Sequence, residues 1–388
     1  MELSVTTLIH EAEHRSGLSD WGSDQTFRIG LTVLVEALCE TDPLPKLVER
    51  FTEHMIDLLI TRLRLVDDER RYPEILAIKI KRPIILIGLS RTGTTILHDL
   101  MALDPAARAP LVWETARPWP APEAATFDTD PRIAQMQAQL EGMFAALPEL
   151  KKIHPFGATM PADCLYLMAL HFASARLFSF YGVPRFVHWL ADTPIEGLYR
   201  THKRVLQQLQ WKGPRGRWTL KEPMHQLNLD QLAATYPDAC FVQTHRDPVR
   251  TIPSGSNFIW TIFHMNDPRA KRKEIGQLAA HLFGACLERS TAARARDPKL
   301  DARVLDIPYR DTVLDPVGQV RRIHQHFDLP FSAEHIRRIE QYIAENPKSK
   351  HGSHHYNAED FGFDSVAIMQ QFPQYRKRFG HLLSDPGR

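Results

Sequence analysis

A glycine-bracketed loop with one cation and several hydroxyl groups is the part of this sequence best suited to chemistry. It runs from Gly88 to Gly93, follows the apolar run Ile84–Ile87 and precedes a segment with helical apolar spacing at Thr95–Leu103. A strand, a glycine loop and a helix together direct backbone N–H groups at a phosphate, and the glycines allow close approach. The residues expected to contact the anion are Ser90, Arg91, Thr92, Gly93, Thr94 and Thr95. The alternative is an ordinary strand-turn-helix without a ligand.

The residue that follows the second glycine argues against triphosphate chemistry. In nucleotide triphosphatases the pattern G-x-x-x-x-G-K-[ST] supplies a lysine for the β- and γ-phosphates and a hydroxyl for Mg²⁺. Here Thr94 stands in place of that lysine, and the cation, Arg91, lies inside the loop. Val304–Asp306 is the nearest candidate for a strand that ends in a metal-binding acid, and it is a weak one. We therefore expect a nucleotide with no γ-phosphate to transfer, and no metal ion.

The loop resembles the 5′-phosphosulfate loop of sulfotransferases that use 3′-phosphoadenosine 5′-phosphosulfate. Arginine followed by a small residue and Gly-Thr-Thr is typical of the tyrosylprotein sulfotransferases and of many bacterial members. The stretch 241–254 (FVQTHRDPVRTIPS) resembles the second family motif, in which an arginine and a later serine bind the 3′-phosphate. Arg246 and Ser254 occupy those positions, and arginine offers a phosphate a rigid fork of donors. An Arg-Asp pair alone often only ties a turn, but here it follows a matching first loop.

Two C-terminal stretches resemble the family less closely. The stretch 307–331 is similar to the family segment whose tyrosine reaches the adenine, which implies that role for Tyr309. Residues 348–356 (KSKHGSHHY) resemble the basic loop that closes over the 3′-phosphate, with a solvated basic tail as the alternative. The residues implied by that match are Lys350, His351 and Gly352. The resemblance extends over about residues 83–365.

Two cations of the sequence suit sulfuryl transfer, Arg91 and Lys221. As the acceptor hydroxyl attacks sulfur in line, charge builds on the surrounding oxygen atoms and must be met by cations. Lys221 stands in a Lys-Glu-Pro sequence that resembles the K-[DE]-P of the tyrosylprotein group, where the lysine contributes to catalysis. The alternative for Lys221 is a simple ion pair with Glu222 or another carboxylate.

Glu114 is the residue that the resemblance favours as the base. Tyrosylprotein and heparan-type members use a glutamate downstream of the first loop, and Glu114, beside Trp113, matches that position in spacing. A carboxyl group against an apolar wall is a stronger base. His225 is the second candidate, although the chain lacks the K-x-H-L-P of cytosolic members. The other alternative is that Glu114 only neighbours a helix cap. His154 and Asp163 lie near an aromatic block and could face the acceptor, but no role is assigned to them.

Bulk composition limits the classes of partner. The 388 residues carry a net charge of +2, so no global field recruits nucleic acid or an anionic membrane. No apolar run approaches the ~20 residues of a spanning helix. A signal peptide has a basic region followed by an apolar run, and the N-terminal residues do not show this pattern. The cysteines lack C-x-x-C spacing and predict reduced core residues, neither disulfides nor a zinc site. We expect a cytoplasmic protein.

Apolar runs alternate with helical patterns along the chain. The predicted strands are Ile84–Ile87, Trp218–Leu220, Cys240–Thr244 and Arg303–Ile307. This alternation indicates an α/β fold, a P-loop NTPase-like three-layer core with a parallel sheet and right-handed crossovers. We expect an N-terminal helical region over 1–80, suited to packing, a lid or a homodimer surface, and an α/β domain over 81–388.

The α/β domain is predicted to contain a helical insert at about 118–210, rich in methionine and aromatic residues. Such a composition is typical of an ordinary core; the alternative is the wall of a pocket for an apolar or aromatic acceptor. The resemblance implies a sulfotransferase that uses 3′-phosphoadenosine 5′-phosphosulfate, with adenosine 3′,5′-bisphosphate as product, and the composition of the insert favours an apolar or aromatic alcohol as acceptor. A nucleotide-dependent kinase and a non-catalytic nucleotide-binding protein are the alternatives.

Overall fold

A five-stranded sheet in which every pair of neighbours is parallel forms the centre of the molecule, in the strand order β2-β3-β1-β4-β5. The computed structural model describes residues 3–146, 148, 157–346 and 357–384. The strands are β1 (Ile84–Ile87), β2 (Ala107–Arg108), β3 (Arg217–Lys221), β4 (Cys240–His245) and β5 (Val304–Pro308). The predicted α/β class and parallel sheet are confirmed.

Strand β1 is central because its four residues are apolar and all of them are buried. Ile84 lies opposite Thr219 of β3 on one side and Cys240 of β4 on the other. Parallel strands end at a common edge, so the segments that follow β1, β3 and β4 meet there. The sequence did not predict β2, because two residues without an apolar run give no strand pattern.

Helices cover both faces of the sheet and continue at each end of the chain. Before the sheet lie α1 (Val5–Ser16), α2 (Phe27–Cys39), α3 (Pro45–Arg71) and α4 (Glu74–Ala77). Between β1 and β3 lie α5 (Thr94–Ala102), α6 (Val112–Ala116), α7 (Pro131–Ala146), α8 (Leu165–Ala169), α9 (Ala175–Tyr181), α10 (Pro184–Asp192) and α11 (Leu198–Trp211).

The second half of the chain alternates helices with β4 and β5. Its helices are α12 (Leu229–Thr235), α13 (Pro248–Asn266), α14 (Arg272–Arg296), α15 (Pro298–Asp301), α16 (Tyr309–Leu314), α17 (Pro316–His326), α18 (Ala333–Glu345), α19 (Ser365–Gln371) and α20 (Pro373–Phe379). Short 3₁₀ turns span Ala124–Thr129, Pro223–Asn228, Ala358–Phe361 and Gly380–Leu382. In the part of the chain that the structure describes, no helix combines the length and the apolarity that a bilayer crossing requires.

The N-terminal helices and the insert share one hydrophobic core with the sheet. Leu8 and Phe51 belong to the same buried cluster as Phe172 and Phe178 of the insert and Ile85 of β1. This packing buries the apolar stripe of α3 against the rest of the molecule. Burial of this kind, and not helix propensity, supplies most of the stability of such helices.

Candidate active site

The loop between β1 and α5 has a backbone that its glycines make possible. Gly88 has φ of 134°, and a Cβ atom there would lie 2.3 Å from Thr244 Oγ1. Gly93 has φ of 86° at the start of α5, and between them Arg91 takes φ of 70°. Positive φ is unfavourable for a residue with a Cβ, so the conformation of Arg91 is held by its surroundings.

Thr92 fixes the loop to the sheet. Its hydroxyl donates to the carbonyl oxygen of Leu89 (2.6 Å) and lies 2.6 Å from Thr244 Oγ1 on β4. The side chain is therefore turned inward and shapes the loop. Ser90, Arg91, Thr94 and Thr95 instead line a cavity at the edge of the sheet.

The two motifs, more than 150 residues apart in sequence, meet at Arg91. Arg91 Nε donates to Ser254 Oγ (3.3 Å), and Arg246 Nη1 donates to the carbonyl oxygen of Arg91 (3.1 Å). The Arg246 guanidinium lies 4.0 Å from the centre of the Tyr309 ring. A Cβ atom on Gly93 would lie 3.1 Å from that ring. We call Arg91, Arg246, Ser254 and Tyr309 the anion cluster.

Asp247, which follows Arg246, serves the fold. It caps α13 by accepting a hydrogen bond from the backbone N of Val249 (3.0 Å), and it pairs with Arg376 (3.3 Å). These contacts hold the start of α13, which carries Ser254, against the C-terminal helices. The turn is thus built by Asp247, while Arg246 lies in the anion cluster.

Lys221 ends β3 beside the loop. Its side chain is only 3% exposed; Nζ forms an ion pair with Asp163 and donates to Thr95 Oγ1 (3.4 Å). Cys164 N donates to the carbonyl oxygen of Lys221 (2.9 Å), which places Asp163 next to the lysine. The expected carboxylate partner of Lys221 is therefore Asp163, and both side chains line the cavity.

The cavity has a polar floor and apolar walls. The floor is formed by the loop, Lys221, Asp163 and Glu222, and Arg176 adds a cation that stacks on Tyr166 and Phe180, at 4.3 and 4.6 Å. The apolar and aromatic wall consists of Val112, Met160, Leu165, Tyr166, Phe180, Met224, Phe258, Ile259, Ile262, Leu282 and Phe283. Part of the aromatic insert thus forms this wall, while Phe172, Phe178 and Phe186 belong to the core.

Glu222 is a buried carboxyl group of the cavity. Its Oε1 accepts a hydrogen bond from the backbone N of Met224 (3.2 Å). Burial, together with the charge of Asp163 and against that of Lys221, raises the pKa of Glu222 to about 8. The group is therefore mainly protonated at neutral pH.

Glu114, the predicted base, is not among the residues that line the cavity. Both of its oxygen atoms accept from Arg108, at 2.7 and 2.6 Å, and Oε1 also accepts from the backbone N of Leu111 (2.8 Å). The Arg108 guanidinium lies between the rings of Phe127 and Trp218, 4.7 Å from each, and Glu114 is fully buried. Both carboxylate oxygen atoms of Glu114 are thus already engaged by Arg108 and the backbone of Leu111.

His225, the second candidate for the base, is also not among the residues that line the cavity. It is fully buried, and its Nδ1 lies 3.1 Å from the hydroxyl of Tyr199. Burial keeps the pKa of His225 well below its ordinary value. His154 and the predicted loop residues Lys350, His351 and Gly352 lie outside the described residues.

Asp306, the weak candidate for a metal-binding acid, is part of a structural network. It pairs with Arg294 at 2.7 and 2.8 Å and lies 2.7 Å from His245 Nε2. These contacts join β4 and β5 to α14. Burial would raise the pKa of Asp306, but the hydrogen bonds from Arg294 and, to a lesser extent, His245 hold it well below its usual range.

The sequence profile of the sulfotransferase family matches residues 83–333. The chain belongs to this family. Two crystal structures of mycobacterial sulfotransferases resemble it over nearly the whole length of both chains. STF9 from Mycobacterium avium has a TM-score of 0.88 and 28% identity, covering 100% of this chain and 98% of that protein. STF1 from Mycobacterium tuberculosis H37Rv has a TM-score of 0.82 and 30% identity, covering 95% and 98%.

A curated relative adds a named acceptor. Omega-hydroxy-beta-dihydromenaquinone-9 sulfotransferase Stf3 of Mycobacterium bovis is 24% identical over 292 residues, which cover 71% of this chain and 70% of that protein. Together the comparisons identify the chain as a sulfotransferase enzyme, which requires a sulfate donor. The resemblance seen in the two sequence motifs is confirmed at the level of the family.

Sequence reasoning missed two residues of the sulfotransferase cavity. Glu222 was considered only as an ion-pair partner, and Arg176 was not considered. Arg176 has no motif around it, because its place depends on the packing of α9 against the rings of Tyr166 and Phe180. Asp163, by contrast, was noted in the sequence for its place near the aromatic block, and it lines the cavity.

Proposed function

We propose that this sulfotransferase moves the sulfuryl group of 3′-phosphoadenosine 5′-phosphosulfate to the hydroxyl of an apolar alcohol, with Asp163 as the base. The observation that carries the proposal is that the anion cluster and the apolar cavity adjoin one another. The anion cluster lies on one side and the apolar cavity on the other, and Arg91 belongs to both. The Lys221–Asp163 pair lines the same cavity as Arg91.

The anion cluster and its loop suit the donor. The N–H groups of the loop and the start of α5 are suited to the 5′-phosphosulfate, as in other phosphate loops. Arg246 and Ser254 are assigned to the 3′-phosphate because they stand at the family positions and both contact Arg91. Tyr309 supplies a flat ring for the adenine, and its contact with Arg246 keeps it beside the loop.

Arg91 and Lys221 are assigned the role of stabilising the negative charge that develops on the sulfuryl oxygen atoms. Lys221 is almost fully buried, so its charge acts through a medium less polar than water. A cation placed in advance stabilises the transition state without a cost of reorganisation during the reaction.

Asp163 is the carboxylate best placed to take the acceptor proton. Its side chain is 21% exposed, lines the cavity, and lies beside Lys221. Glu222 shares the cavity but, with a pKa raised by burial to about 8, is mainly protonated near neutral pH. Glu114 is enclosed by its pair with Arg108. Among the three acids, only Asp163 combines a partly exposed side chain in the cavity with direct contact to the cation of Lys221.

The apolar wall favours an acceptor with a long hydrocarbon part. A sugar needs many polar partners, whereas this wall offers mostly Phe, Ile, Leu and Met side chains. The relative Stf3 is named for an omega-hydroxy menaquinone, an apolar molecule with a terminal hydroxyl. By analogy we assign to this enzyme a lipid-like primary alcohol.

The donor is tested by calorimetric titration with adenosine 3′,5′-bisphosphate, with Mg-ATP in a parallel titration. We expect micromolar binding of the bisphosphate that the Arg246→Ala variant weakens by about tenfold to a hundredfold, since charged hydrogen bonds contribute about 1.5–3 kcal/mol. Arg250→Ala, which replaces an exposed arginine in the first turn of α13, is the control and should bind normally. Binding of Mg-ATP alone would support a kinase instead.

The acceptor class is tested with a series of primary alcohols of increasing length. Each buried methylene contributes about 0.8 kcal/mol, so kcat/KM should rise about fourfold per carbon until the cavity is filled. Monosaccharides should not be sulfated. A Phe180→Ser variant should flatten the series while leaving the affinity for adenosine 3′,5′-bisphosphate unchanged. A flat series in the wild-type enzyme, or a preferred sugar, would contradict the assignment.

A further inference from the structure

Asp104, His324 and His335 come together where the phosphate-loop helix meets the C-terminal helices. Asp104 lies just beyond the end of α5, His324 near the end of α17 and His335 in the first turn of α18. All three are buried, with relative exposures of 7%, 0% and 0%. One potential ligand atom from each lies within 4.8 Å of the others. We call these residues the interhelix cluster; it lies apart from the residues that line the cavity.

The hydrogen bonds of the two histidines determine which of their nitrogen atoms carries a proton. His324 Nδ1 lies 2.7 Å from the carbonyl oxygen of Pro330, and His335 Nε2 lies 2.8 Å from that of Leu100. A carbonyl oxygen only accepts, so each of these nitrogen atoms is the N–H of its ring. In the neutral rings the opposite atoms, His324 Nε2 and His335 Nδ1, therefore present lone pairs.

Those two lone pairs are buried, and within the described residues neither atom has a hydrogen-bond partner. A buried acceptor without a donor costs free energy, and two such acceptors beside a carboxylate repel one another. A hydrogen bond from one ring nitrogen to a carbonyl, with the other nitrogen left as a lone pair, is the usual second-shell arrangement of metal-binding histidines. The cluster thus has the tautomers that a metal site needs.

Asp104 completes a two-histidine, one-carboxylate donor set. Oδ1 accepts from the backbone N of Ala106 (3.0 Å) and Oδ2 accepts from Arg217 (3.2 Å), which orients the carboxylate. A carboxylate oxygen has a second lone pair, so both atoms retain capacity for a further bond. The charge of Arg217 also offsets that of Asp104 while the cluster is buried.

We propose that the interhelix cluster binds a divalent first-row metal ion, with Zn²⁺ as the best match to its donors. Two imidazoles and a carboxylate are ordinary zinc ligands, and tetrahedral bonds of about 2.0–2.2 Å separate the donors of one ion by about 3.3–3.6 Å. The donor atoms now lie within 4.8 Å of one another, so binding would draw the three side chains together by at most about 1.5 Å. The ion would tie the C-terminal end of α5 to α17 and α18, and so hold the phosphate-loop helix in place.

This inference goes beyond the proposed function and departs from the expectation of no metal ion. Sequence spacing could not suggest the site, because residues 104, 324 and 335 share no motif. A second grouping, of Cys164 with His202 and His225, is also buried, but its histidines contact tyrosine hydroxyls. Since a hydroxyl can donate or accept, those contacts do not fix the tautomers.

The test compares Zn²⁺ binding by the chelator-treated wild-type enzyme with that of a double variant, His324→Asn and His335→Gln. The amide of asparagine can replace Nδ1–H and that of glutamine Nε2–H, so both carbonyl contacts are retained and both lone pairs are lost. A third group of possible ligands, His188, Asp192 and His281, lies at the surface, and its double variant, His188→Asn and His281→Gln, is the matched control. Metal content after dialysis and the unfolding midpoint with and without Zn²⁺ are measured.

We expect the wild type and the control to retain one equivalent of Zn²⁺ that the cluster variant lacks. Zn²⁺ should also raise the unfolding midpoint of the first two proteins and leave that of the cluster variant unchanged. X-ray absorption of the wild-type zinc complex should show nitrogen and oxygen ligands. Equal metal content in the cluster variant, no binding by the wild type, or a sulfur ligand that indicates Cys164 would each overturn the proposal.

Discussion

Replacing Asp163 with asparagine is expected to lower kcat by about 10²-fold or more, the usual contribution of a general base. The amide has nearly the same shape but cannot accept the proton of the acceptor hydroxyl. Steady-state rates of formation of the sulfated product provide the measurement.

The matched control for this prediction is Glu222→Gln, since both acids line the cavity beside Lys221. Because burial raises the pKa of Glu222 to about 8, glutamine resembles its protonated form, and kcat near pH 7 should change by only a few-fold. Asp163→Asn should also keep the affinity for adenosine 3′,5′-bisphosphate within a few-fold. If Asp163→Asn retains wild-type kcat while Glu222→Gln loses it, the base is Glu222 and our assignment is wrong.

Glu114→Gln is expected to destabilise the enzyme by about 3–5 kcal/mol, the usual cost of leaving a buried charge without its partner. Arg108 would remain enclosed between Phe127 and Trp218 with its carboxylate removed. Urea unfolding measures the effect as a lower midpoint. Because Glu114 does not line the cavity, kcat per folded enzyme should stay within a few-fold of wild type.

Glu53→Gln supplies the comparison for this variant. Glu53 pairs with Arg15 on the surface, where such pairs contribute about 0–1 kcal/mol to stability. The unfolding midpoint of the Glu53→Gln variant should therefore barely differ from that of the wild type. The joint Arg108→Met and Glu114→Leu replacement should recover part of the lost stability, since it leaves no buried charge unpaired. A large loss of kcat in Glu114→Gln at unchanged stability would restore Glu114 as the base.

The family and the strands of the core follow from local sequence. Ile84–Ile87 is apolar at every position because a central parallel strand is buried on both faces, and that pattern is visible without a structure. Glycine at 88 and 93 suits a backbone that takes positive φ close to other groups, Thr244 of β4 at Gly88 and the Tyr309 ring at Gly93. Arg246 and Ser254 stand at fixed distances from a strand end, so their approach to the loop followed from parallel topology.

Tertiary packing, in contrast, decided which acid faces the cavity. Glu114 matched the spacing of a base, but the guanidinium of Arg108, six residues earlier, encloses its carboxylate. Asp163 reaches Lys221 because Cys164 hydrogen-bonds to the end of β3, a contact between segments almost 60 residues apart. The interhelix cluster likewise joins residues 104, 324 and 335. Sequence determined the strands, the loop and the family, since these depend on local pattern. Which carboxylate stays accessible depends on which side chain neutralises each charge, and only the folded structure decides that.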